Sequence, residues 1–221
     1  PMGKPDQHSP DSASAQPLST WWQHSAAQDW LQSEQHCAQG LLGSVRGQQV
    51  LELVPRGMPS LILPEAELMT WEQEKGFWQQ PVFAPQQLLP VVDHCLDGLV
   101  WRYLVLRHHE RMALAADAHR CLRPGGFLLL VSLNPLQPQC WRACGLQQLS
   151  LQAWDMTWPL RMQGFRTEHS STAGGRRMLR PVRLILLRKP GDPRIIHPRQ
   201  NRFIKSVKQG STGTVPSCRA A

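Results

Sequence analysis

Leu122-Arg123-Pro124-Gly125-Gly126 runs directly into Phe127-Leu128-Leu129-Leu130-Val131, and the two halves of this decapeptide impose opposite demands. Proline cannot continue a helix and paired glycines admit positive φ, so the first half stops a helix and reverses the chain. The second half is apolar at every position. A strand tolerates that only when helices cover both faces of its sheet. The helix being stopped is predicted over residues 110–122, where Leu114, Ala118, Cys121 and Leu122 share one face. Before it, Asp97-Gly98-Leu99-Val100-Trp101 reads as a second buried strand. Strand, helix and strand in succession make an α/β unit.

The same reading extends outward in both directions. Residues 21–42 carry Trp22, Ala26, Trp30, Leu31, Cys37, Ala38, Leu41 and Leu42 near helical spacing, with Gly43 as a stop. Val50-Leu51-Glu52-Leu53-Val54 is a short strand ending at Pro55-Arg56-Gly57. Residues 60–63 are apolar enough for another strand. Residues 64–75 are predicted as a helix opened by Pro64, with Glu65 and Glu67 in its first turn. Within residues 76–90 only Val82-Phe83-Ala84, held between prolines, is strand-like. Residues 146–164 read as helical in their first half, and residues 181–188 as a final strand.

Composition sets the outer limits. Of 221 residues 41% are hydrophobic and 18% charged, so a real core is allowed and glutamine, 22 copies of it, covers much of the surface. No apolar run approaches the ~18–20 residues of a membrane helix. The polar, Pro/Ser-rich stretch 1–19 has no apolar core of a secretory signal, and six scattered cysteines lack CxxC spacing. A cytoplasmic protein is expected, with a polar leader at 1–19, one domain at 20–190 and a basic tail at 191–221. The formal charge of +8 is unevenly spread: residues 176–221 hold 12 Lys/Arg against Asp192 alone, leaving the rest mildly acidic. As a flexible polycation that segment would contact nucleic acid without sequence preference, through counterion release. It has only Phe203 for base stacking, which argues against specific single-strand recognition.

Several motifs together resemble a class I S-adenosylmethionine-dependent methyltransferase of the type 11 kind. Leu89-Pro90 with Asp93 and Asp97 is similar to that family's approach to its fourth strand. Leu122-Arg123-Pro124-Gly125-Gly126 is similar to its junction into the fifth, and Val50 to Leu53 stands where the first should be. Ser132-Leu133-Asn134-Pro135, the Arg188-Lys189 ending of the last strand and Pro198-Arg199-Gln200 bring the resemblance closest to the YafS-like methyltransferases of proteobacteria. The resemblance implies a Rossmann-like, seven-stranded, mostly parallel sheet with helices on both faces, and S-adenosylmethionine as cofactor. It places the cofactor outside the carboxyl ends of the strands, at Glu52, Val54, Pro55, Arg56 and Gly57 and beside Trp101, Arg102 and Tyr103.

The loop departs from the family pattern. Val54, Arg56 and Met58 occupy the glycine positions that let backbone approach the cofactor, and Pro55 fixes φ, so weak or absent binding is expected. Glu65 or Glu67 would hold the ribose at the end of the second strand, and Pro85 or Gln86 replaces an acid that often meets the adenine. Asp97 reads as a turn residue. His108-His109-Glu110 and His94 lack the i, i+4 pair plus third ligand of a zinc site, and Cys140 and Cys144 read as small core residues. No catalytic base and no methyl acceptor can be named. The functional readings are a methyltransferase, an inactive scaffold of that fold, and a nucleic-acid accessory protein acting through its tail.

Overall fold

In the computed structural model the described residues form three helices and eight strands, in the order α1 (Ser25–Leu42), β1 (Gln49–Pro55), β2 (Glu67–Glu74), β3 (Phe77–Gln79), β4 (Ala84–Pro85), β5 (Leu96–Arg102), α2 (His108–Cys121), β6 (Leu122–Leu133), α3 (Thr157–Met162), β7 (Arg166–Ala173) and β8 (Val182–Arg188). The structure describes residues 22–23, 25–43, 48–64, 66–79, 83–134, 137–138, 140, 156–174 and 181–191. The expected leader, all of the tail beyond Gly191, the helix read into residues 146–155, and Cys144 lie outside them. The strands form one sheet in the order β4-β3-β2-β1-β5-β6-β8-β7. The four central strands β2, β1, β5 and β6 are parallel neighbours, and β3 and β8 run against the rest. The sheet is Rossmann-like and mostly parallel, as expected, with eight strands because β3 and β4 extend one edge.

Alternation along the strands sorts the core into two layers. Val50, Val54, Val100, Leu129 and Val131 pack with Ala27, Leu31, Ala38 and Leu42 of α1. Leu51, Leu53, Leu99, Trp101, Leu128 and Leu130 pack with Leu114, Ala115, Ala118 and Cys121 of α2 and Leu160 of α3. Each fully buried Val, Leu or Phe contributes about 1.5–3 kcal/mol, so this paired burial holds the sheet. Close packing has one obligatory gap. A Cβ at Gly98 in β5 would lie 2.1 Å from the Phe127 ring of β6, so Gly98 keeps these two strands in contact. Gly125 takes φ 78, the reversal that the Pro-Gly-Gly sequence requires.

Two expectations are corrected. Residues 64–75 are not a helix: β2 occupies 67–74, paired in parallel with β1 from Gln49↔Glu67 to Pro55↔Gln73. Its glutamates at the start resemble a helix's first turn, but Trp71 is buried as a strand residue beside Leu53 and that pairing prevails. Residues 60–63 are irregular rather than a strand. Lys75-Gly76, both at positive φ, then close the tight β2–β3 hairpin. No helix among the described residues is long and apolar enough to cross a membrane.

Candidate functional site

Strand order reverses between β1 and β5, since β2 lies on one side of β1 and β5 on the other. Open α/β sheets bind ligands outside the carboxyl ends of strands at such a point. Here Glu52 and Val54 of β1 meet Arg102 of β5 and Tyr103 just after it. Alternation turns Glu52 and Arg102 toward α1, and Trp101 to the opposite layer among the α2-side residues.

The α1 layer at this point is ionic. Glu34 lies on the apolar stripe of α1, and Glu34, Glu52 and Arg102 are 0%, 0% and 2% exposed. The Arg102 guanidinium donates from Nε to Glu34 at 2.6 Å, and from Nη1 to Glu52 at 2.8 Å and to the Pro59 carbonyl at 2.7 Å. The Tyr103 hydroxyl donates to the other Glu34 oxygen at 2.7 Å. Glu52 also accepts from the Leu61 backbone N–H and the Thr70 hydroxyl, each at 3.0 Å. Both carboxylates are thereby satisfied within the protein. Burial alone would lower the Arg102 pKa, but Glu34 and Glu52 outweigh it and raise it above the ordinary arginine value. Burial, then the Glu34 carboxylate, pushes the Tyr103 hydroxyl well above the usual tyrosine value. Tyr103 is held at φ 52, left-handed backbone that a bulky residue rarely adopts, with its N–H on the Val131 carbonyl at 3.0 Å.

The loop after β1 packs against this network. Val54, Pro55 and Met58 are buried, and the Trp22 indole N–H donates to the Gly57 carbonyl at 3.0 Å. Gly57 takes φ 75 and supplies the turn. Arg56 points outward and pairs with Glu74. The described residues between β1 and β2, 56–64 and 66, contain no helix. Among the described residues of this loop no helix N-terminus presents its amides to an anionic group. In this arrangement Met58, the Arg102 guanidinium and Glu34 are all buried beside the loop that follows β1. Beside Tyr103, a shallow depression lined by Tyr103, Leu104, Leu130, Val131, Ser132 and Met156 has room for about one water molecule, far short of a ligand site.

Sequence reading named Glu52, Arg102 and Tyr103, which the fold brings together, and missed Glu34. The available signal was a lone glutamate in register with Leu31, Ala38 and Leu42. The ribose acid was sought at Glu65 or Glu67; Glu67 stands at the amino end of β2, away from the reversal, and Glu65 is outside the described residues. Glu72 and Glu74 are the acids at the carboxyl end. Gln86 is buried and accepts from Gln73 at 2.6 Å. Asp97 is structural, accepting from Arg123 at 2.6 Å and the Gln49 N–H at 3.0 Å. No cluster of three His, Cys, Asp or Glu suited to a metal occurs among the described residues.

No protein-family model and no curated protein matches this chain. Solved structures do match. The chain is similar to a SAM-dependent methyltransferase from Aquifex aeolicus at 10% identity and TM-score 0.57, covering 77% of this chain and 97% of that one. It is similar to the N-methyltransferase NodS from Bradyrhizobium japonicum WM9 at 12% identity and TM-score 0.54, over 73% and 97% of the two chains. A SAM-dependent methyltransferase from Thermotoga maritima aligns at 12% identity and TM-score 0.50, over 76% and 93%. These likenesses establish the methyltransferase fold.

Proposed function

We propose that this chain is a class I S-adenosylmethionine-dependent methyltransferase of the YafS-like group, cytoplasmic, with weakened cofactor binding and an acceptor that the described site does not single out. The fold supports the cofactor class. The reduced affinity rests on one observation: Glu34, Arg102 and Glu52 form a closed, buried ion network at the strand-order reversal. A cofactor entering there must displace the buried side chains of that network or find a route beside them. Glu72 and Glu74, at the carboxyl end of β2, are the acids that would reach ribose hydroxyls, and the depression beside Tyr103 is where an acceptor would approach.

The same network favours a second reading, a scaffold that keeps the fold and has lost the cofactor. Calorimetric titration of S-adenosylmethionine and S-adenosylhomocysteine separates the two. Dissociation constants near millimolar, tightened by a Val54→Gly/Arg56→Gly variant, support the methyltransferase reading. No heat and no thermal shift with either ligand would leave only the scaffold. Micromolar binding by the unaltered chain would overturn the claim of weakened affinity.

A further inference from the structure

Trp158 and Met162 stand one turn apart on α3 and are 48% and 62% exposed. The Trp158 indole stacks on the imidazole of His108, the first residue of α2, with ring centroids 6.3 Å apart and planes 24° from parallel. Fifty positions separate the two in sequence, and the packing of α3 on α2 brings them together. Because α2 follows β5, its first turn lies at the carboxyl end of the sheet. Met156, two residues before Trp158, lines the depression beside Tyr103. Arg107 and His109, which flank His108 in the chain, and Arg161, one turn beyond Trp158, are exposed; Arg161 donates to the Thr167 hydroxyl at 3.4 Å and His109 lies 4.0 Å from the Glu110 carboxylate. The acid in the first turn of α2, Glu110, is 8% exposed and accepts the Arg107 backbone N–H at 2.6 Å; α3 has none.

We propose that Trp158 and His108 form a stacking platform for the bases of a single-stranded nucleic acid, with Arg107, His109 and Arg161 taking its phosphates. Sequence-tolerant single-strand binding combines an exposed aromatic face with a cationic surround. The core of a protein–protein interface is depleted of charge, whereas the exposed chain neighbours of these rings include two arginines, Arg107 and Arg161. The sequence from residue 192 onward, with its six Lys/Arg, adds a sequence-independent attraction. A tail alone would bind any polyanion; the platform adds preference for unpaired bases. The proposal does not depend on S-adenosylmethionine binding and is tested without it.

The test is fluorescence anisotropy of the full chain with labelled single strands of about twelve nucleotides, DNA and RNA, against a duplex of the same length. Single strands are expected to bind more tightly than duplex. Trp158→Ala should weaken single-strand binding by roughly 5- to 150-fold, the range for losing one base stack, while Trp158→Phe keeps most of it. The salt dependence of Trp158→Ala should equal that of the unaltered chain, since no phosphate contact is removed. His108→Ala is the second variant should Trp158→Ala fail to fold. Unchanged affinity in both, or equal binding of duplex and single strand, would overturn the proposal in favour of the tail alone. Absence of binding, with Trp158-dependent self-association in sedimentation, would overturn it in favour of a protein interface.

Discussion

Two parallel crossovers, β1 to β2 and β5 to β6, solve the same topological problem with different chemistry. The second uses α2, whose Leu114, Ala115, Ala118 and Cys121 bury against the sheet. The described residues of the first hold no helix, so their backbone groups take partners from elsewhere. Ile62 exchanges hydrogen bonds with Gln35 and accepts another from Gln39, Pro59 accepts from Arg102, Leu61 donates to Glu52, and Gly57 accepts from Trp22. A helical crossover is held by apolar area; an irregular one at this depth is held by satisfied polar groups. Side chains that complete the loop are thereby fixed at the carboxyl ends of β1 and β5.

The two should therefore break differently. Arg102→Met, which strands two buried carboxylates, should cost about 3–5 kcal/mol by urea unfolding, whereas adding Glu34→Leu and Glu52→Leu should restore most of it. A triple variant as unstable as the single one would show that the network is not a self-contained unit. In the helical crossover, Leu114→Ala should cost about 2–5 kcal/mol, with no such rescue by removing a charge.

Alkaline pH probes the helical side again. Burial, the largest cause, pushes the Cys121 thiol up to about 12 from an ordinary 9.0. A raised folded value means this contribution is whole below pH 9 and is lost as pH climbs toward 12, because the unfolded chain ionises first. At pH 10 the unaltered chain should lose about 1.4 kcal/mol more than Cys121→Ala, relative to pH 8. Equal losses in the two would mean the thiol is not shielded. The smallest effect is expected at the rim of the loop. Arg56→Ala removes an ion pair whose arginine is 60% exposed, and should change stability by about 0–1 kcal/mol.

Legibility followed burial. β1, β5 and β6 were readable because strands covered on both faces are written as continuous apolar runs. β7 was not: Arg-Thr-Glu-His-Ser-Ser-Thr-Ala is an exposed edge strand ordered by pairing with β8, and carries no apolar pattern. β2 was misread because its acids stand where a helix's first turn would have them. At the candidate site the β1 loop and the residues at the end of β5 could be named from sequence. Their partner Glu34 could not, because an ion pair closed between distant elements leaves no local spacing. The stack of His108 on Trp158 escaped detection for the same reason.

The ion pair between Glu34 and Arg102 spans 68 residues, and the hydrogen bond from Tyr103 to Glu34 spans 69. During synthesis at about 5–20 residues per second, α1 emerges with a carboxylate on its apolar stripe roughly 3–14 s before the guanidinium that neutralises it exists. It also packs over Leu184 and Leu186 of β8, which come later still. α1 therefore cannot settle until β5 and β8 have both been made, and until then Glu34 keeps its stripe hydrated: a delay written into the order of translation.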